Sequence, residues 1–507
     1  MGWRRALRPE VWIPLLAIAL RLVPGPRIID DAYIIFRYAQ NVLAGQGLVF
    51  NPGEPVFGIT TPLFAGILVA LGAVTGRPNA PFPALAVGVS ALADAATCVL
   101  LIRLAGDVSR RPAGILAAVV WAVAPMSVTF AVGGMETSVF VLLTTATLYF
   151  HSIGAPVAAA LAAGLSLVTR PDAVLVVGLV ALERARQARQ ARRGDPRYPR
   201  VGLQEVVALA AAPAAWGAFA WPAYGSPLPH SILAKAAAYH LPPEAGLVRL
   251  LQHFATPFHE HDVFGTPWIA VGLVLYAILY ALGALDSIRH RVERWPQFAY
   301  MPLYFATFSA ANPLIFRWYL APPLPMYFLG IFLGVARLAR DLRRPGLVWA
   351  LGGLAVALSL NAWTLAPDTG PRRPAPEMAF VGLEDLYADL GRRLKGRVGP
   401  TETIAAGDVG ALGYTSGARI LDLVGLVSPQ VVAYYPLPDE AYVINYAVPA
   451  QAIRDEQPEY VVLLEVYGRR TVLRDPFFLH SYRRIESLPT DIYGSQGLLV
   501  FQRMEAR

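Results

Sequence analysis

Long apolar stretches separated by short polar segments recur along most of this 507-residue chain. A membrane-spanning helix needs about 20 mostly apolar residues, with a range of about 17–25. Only 15% of the residues are charged, whereas a typical soluble domain has about 25%. The sequence therefore predicts a polytopic α-helical membrane protein. The eleven candidate spans are 11–26, 83–104, 112–131, 136–152, 155–170, 172–185, 202–221, 264–286, 297–313, 318–338 and 346–365.

Arginine sets the predicted orientation of these spans, because positive residues gather in the cytoplasmic loops of membrane proteins. With eleven spans, every arginine-rich segment is cytoplasmic and the C-terminus lies outside. This bias accounts for the net charge of +8, and the scatter of arginines between spans argues against nucleic-acid binding. Segment 184–200 could instead bind anionic membrane lipids. The arginine-rich segments hold Arg4, Arg5 and Arg8, then Arg103, Arg110 and Arg111, then 184–200, then Arg289, Arg291 and Arg294, and finally Arg337, Arg340, Arg343 and Arg344.

Two apolar segments need separate interpretation. The N-terminal segment resembles a signal peptide but has no small-residue cleavage motif after it, so we expect a retained first helix. Counting 61–76 as a span would break the charge pattern that follows it. We therefore expect a juxtamembrane or re-entrant helix there.

The composition changes after Leu365. Prolines in 367–377 predict a linker between a transmembrane domain, 1–366, and a soluble extracytoplasmic domain, 378–507. Apolar runs alternate there with amphipathic stretches, which is typical of an α/β fold. We interpret Asp408 and Asp422 as turn or capping residues. The predicted elements are helices at 382–393 and 447–456, strands at 403–406, 420–424 and 460–464, and a final edge strand at 498–501.

Unusual polar residues begin directly after the first span, at Asp30 and Asp31. A charged pair beside hydrocarbon is costly, so such residues are usually kept for a function. A short amphipathic helix is predicted over 31–43, and one of the two carboxylates could cap its N-terminus instead. The same external loop contains Tyr33 and Arg37.

Later external loops add further candidates. Glu136 opens the fourth span, where a carboxylate also suits a helix N-terminus. Arg170 and Asp172 could form a local salt bridge. Lys235 is one of two lysines in the chain and lies on the side where the charge rule does not require it. The other candidates are His230 in the same long loop, 222–263, and Arg317 and Tyr319 before the tenth span.

Histidines at 259 and 261, within His-Glu-His-Asp, suggest a metal site. Their spacing fits no strong zinc motif, so we assign no metal ligands. A divalent cation is left open. The single cysteine, Cys98, lies in an apolar run and excludes a disulfide within the chain.

Acids and cations thus gather on one predicted side of the membrane. A carboxylate can act as a general base on a nucleophile. Lysine and arginine can stabilise a departing phosphate. The combination suits a transfer reaction with an anionic leaving group.

The residues of the first loop resemble a known family. Asp-Asp-Ala-Tyr-Ile-x-Phe-Arg-Tyr-Ala-x-Asn at 30–41 and Gly-x-Gly-Leu-Val-Phe-Asn-Pro-Gly-Glu at 45–54 are similar to the first extracytoplasmic loop of GT-C fold glycosyltransferases. The likeness is strongest to bacterial cell-wall arabinofuranosyltransferases. Gly-Asp-Val-Gly at 407–410 and Leu-Asp-Leu-Val-Gly-Leu at 421–426 resemble their C-terminal domain. At 56–62 the chain lacks an acidic residue that relatives often carry, which leaves sugar and acceptor specificity open.

The resemblance implies a GT-C-like membrane protein with about 11 spans, in a bacterial plasma membrane. It implies a polyprenyl-phosphate sugar as donor, arabinofuranose among the candidates, and an extracytoplasmic glycan or lipid as acceptor. Asp30 or Asp31 would deprotonate the acceptor, and displacement would invert the anomeric carbon. Lys235 and Arg317 would bind the donor phosphate. The remaining candidate substrate contacts are Tyr33, Arg37, Glu136, Arg170, Asp172, His230 and Tyr319.

Two other classes compete with an enzyme. A transporter or flippase of a lipid-linked sugar would place its polar residues within spans, on broken helices near the midplane. Here they lie at the outer ends of the predicted spans, which favours an enzyme. A receptor-like protein that binds a partner through its C-terminal domain is the third interpretation.

Overall fold

The computed structural model describes residues 8–259, 263–365, 373–379 and 381–504, and most of them are helical. Proline occupies the first turn of many helices, where its missing N–H costs no hydrogen bond. The α-helices are Pro9–Leu22, Asp30–Leu43, Pro62–Thr75, Phe82–Leu104, Arg111–Val123, Pro125–Val132, Thr137–Ser152, Pro156–Leu167, Ala173–Arg192, Leu203–Tyr224, His230–Ala238, Ala245–Ala255, Thr266–His290, Trp295–Ala311, Leu324–Asp341, Gly346–Asn361, Gly382–Leu394, Gly410–Ser416, Ala450–Glu456, Glu465–Gly468 and Pro476–Ser481.

Several of these helices are suited to a membrane. Among the described residues, four are long and apolar enough to cross one, or up to five if a bent pair counts as one span. The bent pair is Arg111–Val123 with Pro125–Val132, which meet at 48° where Pro125 interrupts the hydrogen-bond ladder. Other apolar helices, such as Pro156–Leu167 and Gly346–Asn361, are shorter. The membrane character is confirmed, whereas the count of eleven spans stays a prediction.

Contacts between Cα atoms divide the chain into two compact units. The first contains Met1–Arg27, Ala86–Gly217 and Pro243–Phe380, and the second contains Ile28–Leu85, Ala218–Pro242 and Val381–Arg507. The second unit therefore combines the predicted soluble domain with the first polar loop and with part of the long external loop at 222–263. The predicted boundaries at 366 and 378 stay predictions, and residues 367–372 of the predicted linker lie outside the described residues.

In the first unit, helices Thr266–His290 and Leu324–Asp341 pack against each other at glycines. A Cβ atom on Gly283 would lie 2.1 Å from the Gly330 carbonyl oxygen. One on Gly334 would lie 1.9 Å from the Leu279 carbonyl oxygen. Small residues at membrane helix interfaces let the backbones approach this closely. This unit also holds a two-stranded antiparallel sheet of β1 (Trp363–Thr364) and β2 (Ala375–Pro376).

A buried ion pair lies inside the first unit and was overlooked in the sequence. Arg21 Nε is 2.9 Å from Asp94 Oδ2, and both side chains are 0% exposed. Trp121 and Ser138 also donate hydrogen bonds to the Asp94 carboxylate. Ser127 accepts one from Arg21. Each carboxylate oxygen of Asp94 and each guanidinium nitrogen of Arg21 therefore has a hydrogen-bond partner, Nη1 of Arg21 through the Ala122 carbonyl oxygen. A buried charge is stable beside hydrocarbon only when it is paired in this way.

Replacing Asp94 by asparagine should strongly destabilise the protein, because it leaves the buried guanidinium of Arg21 without its counter-ion. Loss of one partner of a buried pair costs about 3–5 kcal/mol. Thermal unfolding of the purified protein in detergent measures the effect. Glu10→Gln is the matched control, since Glu10 pairs with Arg111 at the surface. It should cost less than about 1 kcal/mol, and equal losses in both variants would contradict the assignment.

The second unit contains a mixed five-stranded sheet in the order β4-β3-β5-β7-β6. Strand β3 pairs in parallel with β4 and β5, whereas β7 pairs antiparallel with β5 and β6. The fully buried run Tyr-Val-Val-Leu-Leu forms β5, as expected of a strand covered on both faces. The strands are β3 (Thr403–Ala406), β4 (Arg419–Asp422), β5 (Tyr460–Leu464), β6 (Tyr482–Leu488) and β7 (Leu498–Arg503).

Most predicted elements of this domain are confirmed. The helix expected at 382–393 is Gly382–Leu394, and the strand expected at 460–464 has those bounds. The helix expected at 447–456 begins later, as Ala450–Glu456. The prediction of an edge strand at 498–501 was wrong, because β7 lies between β5 and β6. The actual edge, β6, is polar and largely exposed, which protects it from pairing with other chains.

Candidate active site

The first polar loop folds as predicted into a helix, Asp30–Leu43, in the second unit. Ile29 occupies its N-cap position, and no side chain caps it. The alternative that Asp30 or Asp31 caps this helix is therefore wrong. Both carboxylates lie in the first turn, where the helix dipole favours negative charge, and both are half-buried.

Asp30 is bound by the C-terminal domain. Its Oδ2 accepts a hydrogen bond from the Gly410 N–H at 2.9 Å, and its Oδ1 accepts one from the Ala411 N–H at 2.8 Å. These amides begin helix Gly410–Ser416, so Asp30 supplies that helix with its N-terminal acceptors. Burial raises the pKa of Asp30 to about 6 even though both amide bonds lower it. Sequence reasoning had no means of finding these partners, which lie 380 and 381 residues away.

Asp31 forms an ion pair with Lys235. Lys235 Nζ donates to Asp31 Oδ2 at 3.0 Å. The two side chains are 21% and 29% exposed, so a molecule from solvent can reach them. Lys235 lies on helix His230–Ala238, whose first N–H donates to the Phe57 carbonyl oxygen. The structure thus brings together two of the predicted residues from distant loops.

Arg37 is buried and is bound to backbone carbonyls. Its guanidinium donates to the oxygens of Phe50, Gly413 and Ala418 at 2.6–2.7 Å. It also lies 4.3 Å from the centre of the Phe50 ring. These bonds support a role in joining helix Asp30–Leu43 to the C-terminal domain rather than a substrate contact.

Tyr33 and His230 are two further predicted site residues in the second unit. The Tyr33 ring lies 5.5 Å from the Tyr414 ring and 5.8 Å from the Phe36 ring. His230 Nε2 is buried without a hydrogen-bond partner among the described residues. Burial lowers the pKa of His230, which favours its neutral ring. Their predicted contacts with substrate stay predictions.

Asp408 and Asp422 differ in role. Asp422 accepts hydrogen bonds from the N–H groups of Val424 and Val427, which confirms its interpretation as a turn residue. Asp408 follows β3 and has a buried Oδ2 that accepts no hydrogen bond from the described residues. Burial, and then the charge of Asp30, raises the pKa of Asp408 to about 7. The turn interpretation therefore does not account for Asp408.

The first unit holds a separate network of predicted residues. Arg170 Nη1 lies 3.0 Å from Glu136 Oε1, and Arg170 Nε lies 2.9 Å from Asp172 Oδ1. The guanidinium carbon lies 4.9 Å from the centre of the Tyr319 ring. Tyr304 donates to Asp172 and to the Tyr319 carbonyl oxygen. The local salt bridge that the sequence offered as an alternative for Arg170 and Asp172 is present.

Arg317 lies elsewhere in the first unit, in the 3₁₀ helix Arg317–Leu320. Its side chain is exposed, and it lines an open cleft with Arg249, His253 and His259. Burial lowers the pKa of His253 to about 4, so that imidazole is neutral and the arginines supply the positive charge. The predicted binding of the donor phosphate by Arg317 stays a prediction. Within the described residues no group of three metal-ligating side chains occurs, and 260–262 lie outside them.

Comparison with known proteins gives the fold. The chain aligns with the crystal structure of ArnT from Cupriavidus metallidurans bound to undecaprenyl phosphate, at a TM-score of 0.58 and 13% identity, over 100% of this chain and 98% of that one. An oligosaccharyltransferase structure from Archaeoglobus fulgidus with a tethered acceptor peptide aligns at 0.51 and 12% identity, over 100% and 75%. The chain has a GT-C-like fold. The predicted fold family is thereby confirmed.

Sequence comparison agrees with the stated resemblance. A terminal beta-(1→2)-arabinofuranosyltransferase of Mycobacterium tuberculosis is 30% identical over 259 residues, which is 46% of this chain and 39% of the relative. The match thus spans well under half of that relative's length. Residues 378–501 match a family described as a domain of unknown function, DUF8728. The domain that binds Asp30 through Gly410 and Ala411 thus falls within this family match.

Replacing Gly410 by alanine should separate Asp30 from its amide partners. An added Cβ would lie 1.9 Å from the Asp30 carbonyl oxygen, so the helix must move away. Overpacking of this kind costs about 1–3 kcal/mol, which thermal unfolding detects. Gly66→Ala is the control, because nothing lies within 4 Å of a Cβ there. It should leave stability unchanged or raise it by about 0.5–1 kcal/mol. A thermally unaltered Gly410→Ala protein would refute this close approach.

Stability should depend on pH through Asp30 and Asp408. Their pKa values are raised in the folded state, to about 6 and about 7, so the folded protein binds more protons than the unfolded chain. Stability should be greatest below about pH 4 with respect to these groups and should fall as the pH rises to about 7. Unfolding temperatures measured across this range should change less in Asp408→Asn. An identical pH profile for both proteins would contradict the assignment.

Proposed function

We propose that the protein is a membrane glycosyltransferase that moves a sugar from a polyprenyl-phosphate donor to an extracytoplasmic acceptor. The observation that carries this proposal is the partly exposed pair of Asp31 and Lys235, 3.0 Å apart beside Asp30. A carboxylate and an ammonium group side by side suit a reaction that removes a proton and releases a phosphate. The GT-C-like fold and the partial arabinofuranosyltransferase match support the same reaction class.

Asp31 is the proposed general base. Its Oδ1 has no hydrogen-bond partner among the described residues, whereas both oxygens of Asp30 are bound by backbone amides. Asp31 takes the proton of the acceptor hydroxyl as that oxygen bonds to the anomeric carbon. The bond from the anomeric carbon to the phosphate oxygen breaks, and the electron pair leaves with polyprenyl phosphate. One displacement of this kind inverts the anomeric centre.

Lys235 and Asp30 have supporting roles in this proposal. The ammonium group of Lys235 orients the Asp31 carboxylate and stabilises the negative charge that grows on the leaving phosphate. Asp30 positions the first turn of helix Asp30–Leu43 against Gly410 and Ala411. A base held in this way is pre-organised, which general base catalysis requires.

The proposed donor class and the proposed sugar are inferred from similar proteins. The ArnT structure holds undecaprenyl phosphate, which supports a polyprenyl-phosphate carrier here. The curated relative is named an arabinofuranosyltransferase, which supports arabinofuranose as the sugar and a sugar hydroxyl as the acceptor group. A bacterial plasma membrane, with the C-terminal domain outside, is the proposed location. A transporter is not favoured, because Asp30 and Asp31 lie on a helix that is not among the candidate spans.

Asp31→Asn should abolish transfer without unfolding the protein, because asparagine cannot take up the acceptor proton. Loss of a general base lowers kcat by about 10²–10⁴-fold. The assay incubates the purified protein with radiolabelled polyprenyl-phosphoryl arabinofuranose and an arabinofuranosyl oligosaccharide. Release of polyprenyl phosphate and transfer of label are both measured. A fully active Asp31→Asn protein would rule out the base assignment.

Two variants serve as controls. Asp439→Asn removes an exposed carboxylate of the same unit and should leave turnover unchanged. Asp30→Asn turns an acceptor of two amide bonds into a group with only one oxygen, so its main effect should be lower thermal stability. If the native protein releases no polyprenyl phosphate with any sugar donor, the glycosyltransferase proposal itself fails.

A further inference from the structure

The C-terminal sheet has one position where ligands commonly bind. Strand β4, which follows β3 in the chain, lies on one side of β3, and the later strand β5 lies on its other side. In open α/β sheets, ligands bind at the carboxyl ends of the strands where the strand order reverses in this way. Asp408 stands two residues beyond the end of β3. The same loop continues to Gly410, whose N–H binds Asp30.

Tyrosines surround Asp408 at this position. The phenols of Tyr387 and Tyr467 lie beside Asp408, where both lower its pKa. The Tyr446 ring lies 4.9 Å from the Tyr467 ring and 6.0 Å from the Tyr239 ring. Asp408 and Tyr239 are partly exposed, so the cluster can be reached from the surface.

Three polar atoms of this cluster are buried with no hydrogen-bond partner among the described residues. They are Asp408 Oδ2, Tyr387 Oη and Tyr446 Oη. Tyr387 is completely buried and Tyr446 is 4% exposed. Native proteins leave few buried polar groups without partners, and such groups often belong to a binding or catalytic site. Their side chains lie around Asp408, since a Cβ on Gly407 would be 2.8 Å from Tyr446 Oη.

This set of groups matches the chemistry of a sugar. A neutral sugar offers hydroxyl groups to carboxylates and phenols, and C–H faces to aromatic rings. Polar groups that fix orientation, among aromatic side chains, are the ordinary composition of a small-molecule site. Within the same unit, the partly exposed Asp31 carboxylate lies close enough to Asp408 to raise its pKa.

We propose that Asp408, Tyr387, Tyr446 and Tyr239 form a subsite for the terminal sugar residue of the acceptor glycan. This inference rests on the proposed function and adds to it the place where the acceptor is held. Asp408 accepts a hydrogen bond from one hydroxyl of the sugar, and the Tyr239 ring covers one face. A second hydroxyl is thereby directed toward Asp31, the proposed base.

The test measures binding without turnover. The full-length protein in detergent is titrated with a methyl arabinofuranosyl disaccharide, with no donor present, by saturation-transfer NMR and calorimetry. At pH 8, where a carboxyl group with a pKa of about 7 is mostly ionised, Asp408→Asn should weaken binding about tenfold or more, because it loses a charged acceptor. Tyr387→Phe and Tyr446→Phe should each weaken it about two- to tenfold. These two variants remove phenol oxygens that form no hydrogen bond with the described residues, so they should fold normally.

Matched variants distinguish a sugar contact from a structural effect. Tyr482→Phe removes a buried phenol that donates to the Pro458 carbonyl oxygen. It should lower the unfolding temperature and leave disaccharide binding unchanged. Asp439→Asn controls for the loss of one negative charge and should bind the disaccharide as the native protein does.

Unchanged disaccharide affinity in Asp408→Asn and in both tyrosine variants would overturn the subsite. Absence of binding to the native protein would overturn it as well. If the native protein binds the disaccharide and the variants weaken it, but no polyprenyl phosphate is ever released, the subsite stands and the proposed transfer fails. If the native protein transfers the sugar and the acceptor KM is unaltered in all three variants, the proposed transfer stands and the subsite fails.

Discussion

The hydrogen bonds from Gly410 and Ala411 to the Asp30 carboxylate are the interaction on which the rest of the second unit depends. They attach the first turn of helix Asp30–Leu43 to the start of helix Gly410–Ser416. Arg37 attaches the same two helices again, through the Gly413 carbonyl oxygen. The carboxylate binds one end of the short helix and the guanidinium binds its other end, each at the pole whose charge it complements.

Glycine is what permits this attachment. A side chain at Gly410 would collide with the Asp30 backbone, and one at Gly413 would come within 2.7 Å of Arg37 Nη1. A side chain at Gly407 would meet Tyr446. The spacing of these three glycines therefore follows the surface of helix Asp30–Leu43 and of the tyrosine cluster. Read along the sequence, the same glycines look like an ordinary turn after a strand.

The sequence predicted the local structure well because local structure depends on neighbouring residues. Helix Asp30–Leu43 and helix Gly382–Leu394 follow from apolar periodicity, and strand β5 follows from a short continuous apolar run. The sequence analysis placed Asp31 and Lys235 on the same predicted side of the membrane, but it did not predict the ion pair between them. Three features were not predictable: the partners of Asp30, the lack of a partner for Asp408 Oδ2 among the described residues, and the pair of Arg21 with Asp94. Each depends on chain segments brought together only by the complete fold, which no local pattern records.

The adjacent carboxylates of Asp30 and Asp31 repel each other, and the fold compensates each of them differently. Asp30 receives two backbone amides, which are fixed partial charges that cannot leave. Asp31 receives the ammonium group of Lys235, which sits on a flexible stem and is partly exposed. A carboxylate held by amides is suited to positioning, since it cannot exchange partners during a reaction. A carboxylate held by a flexible cation can release that cation to a phosphate while it takes a proton. The roles proposed for the two acids therefore follow from what binds each of them.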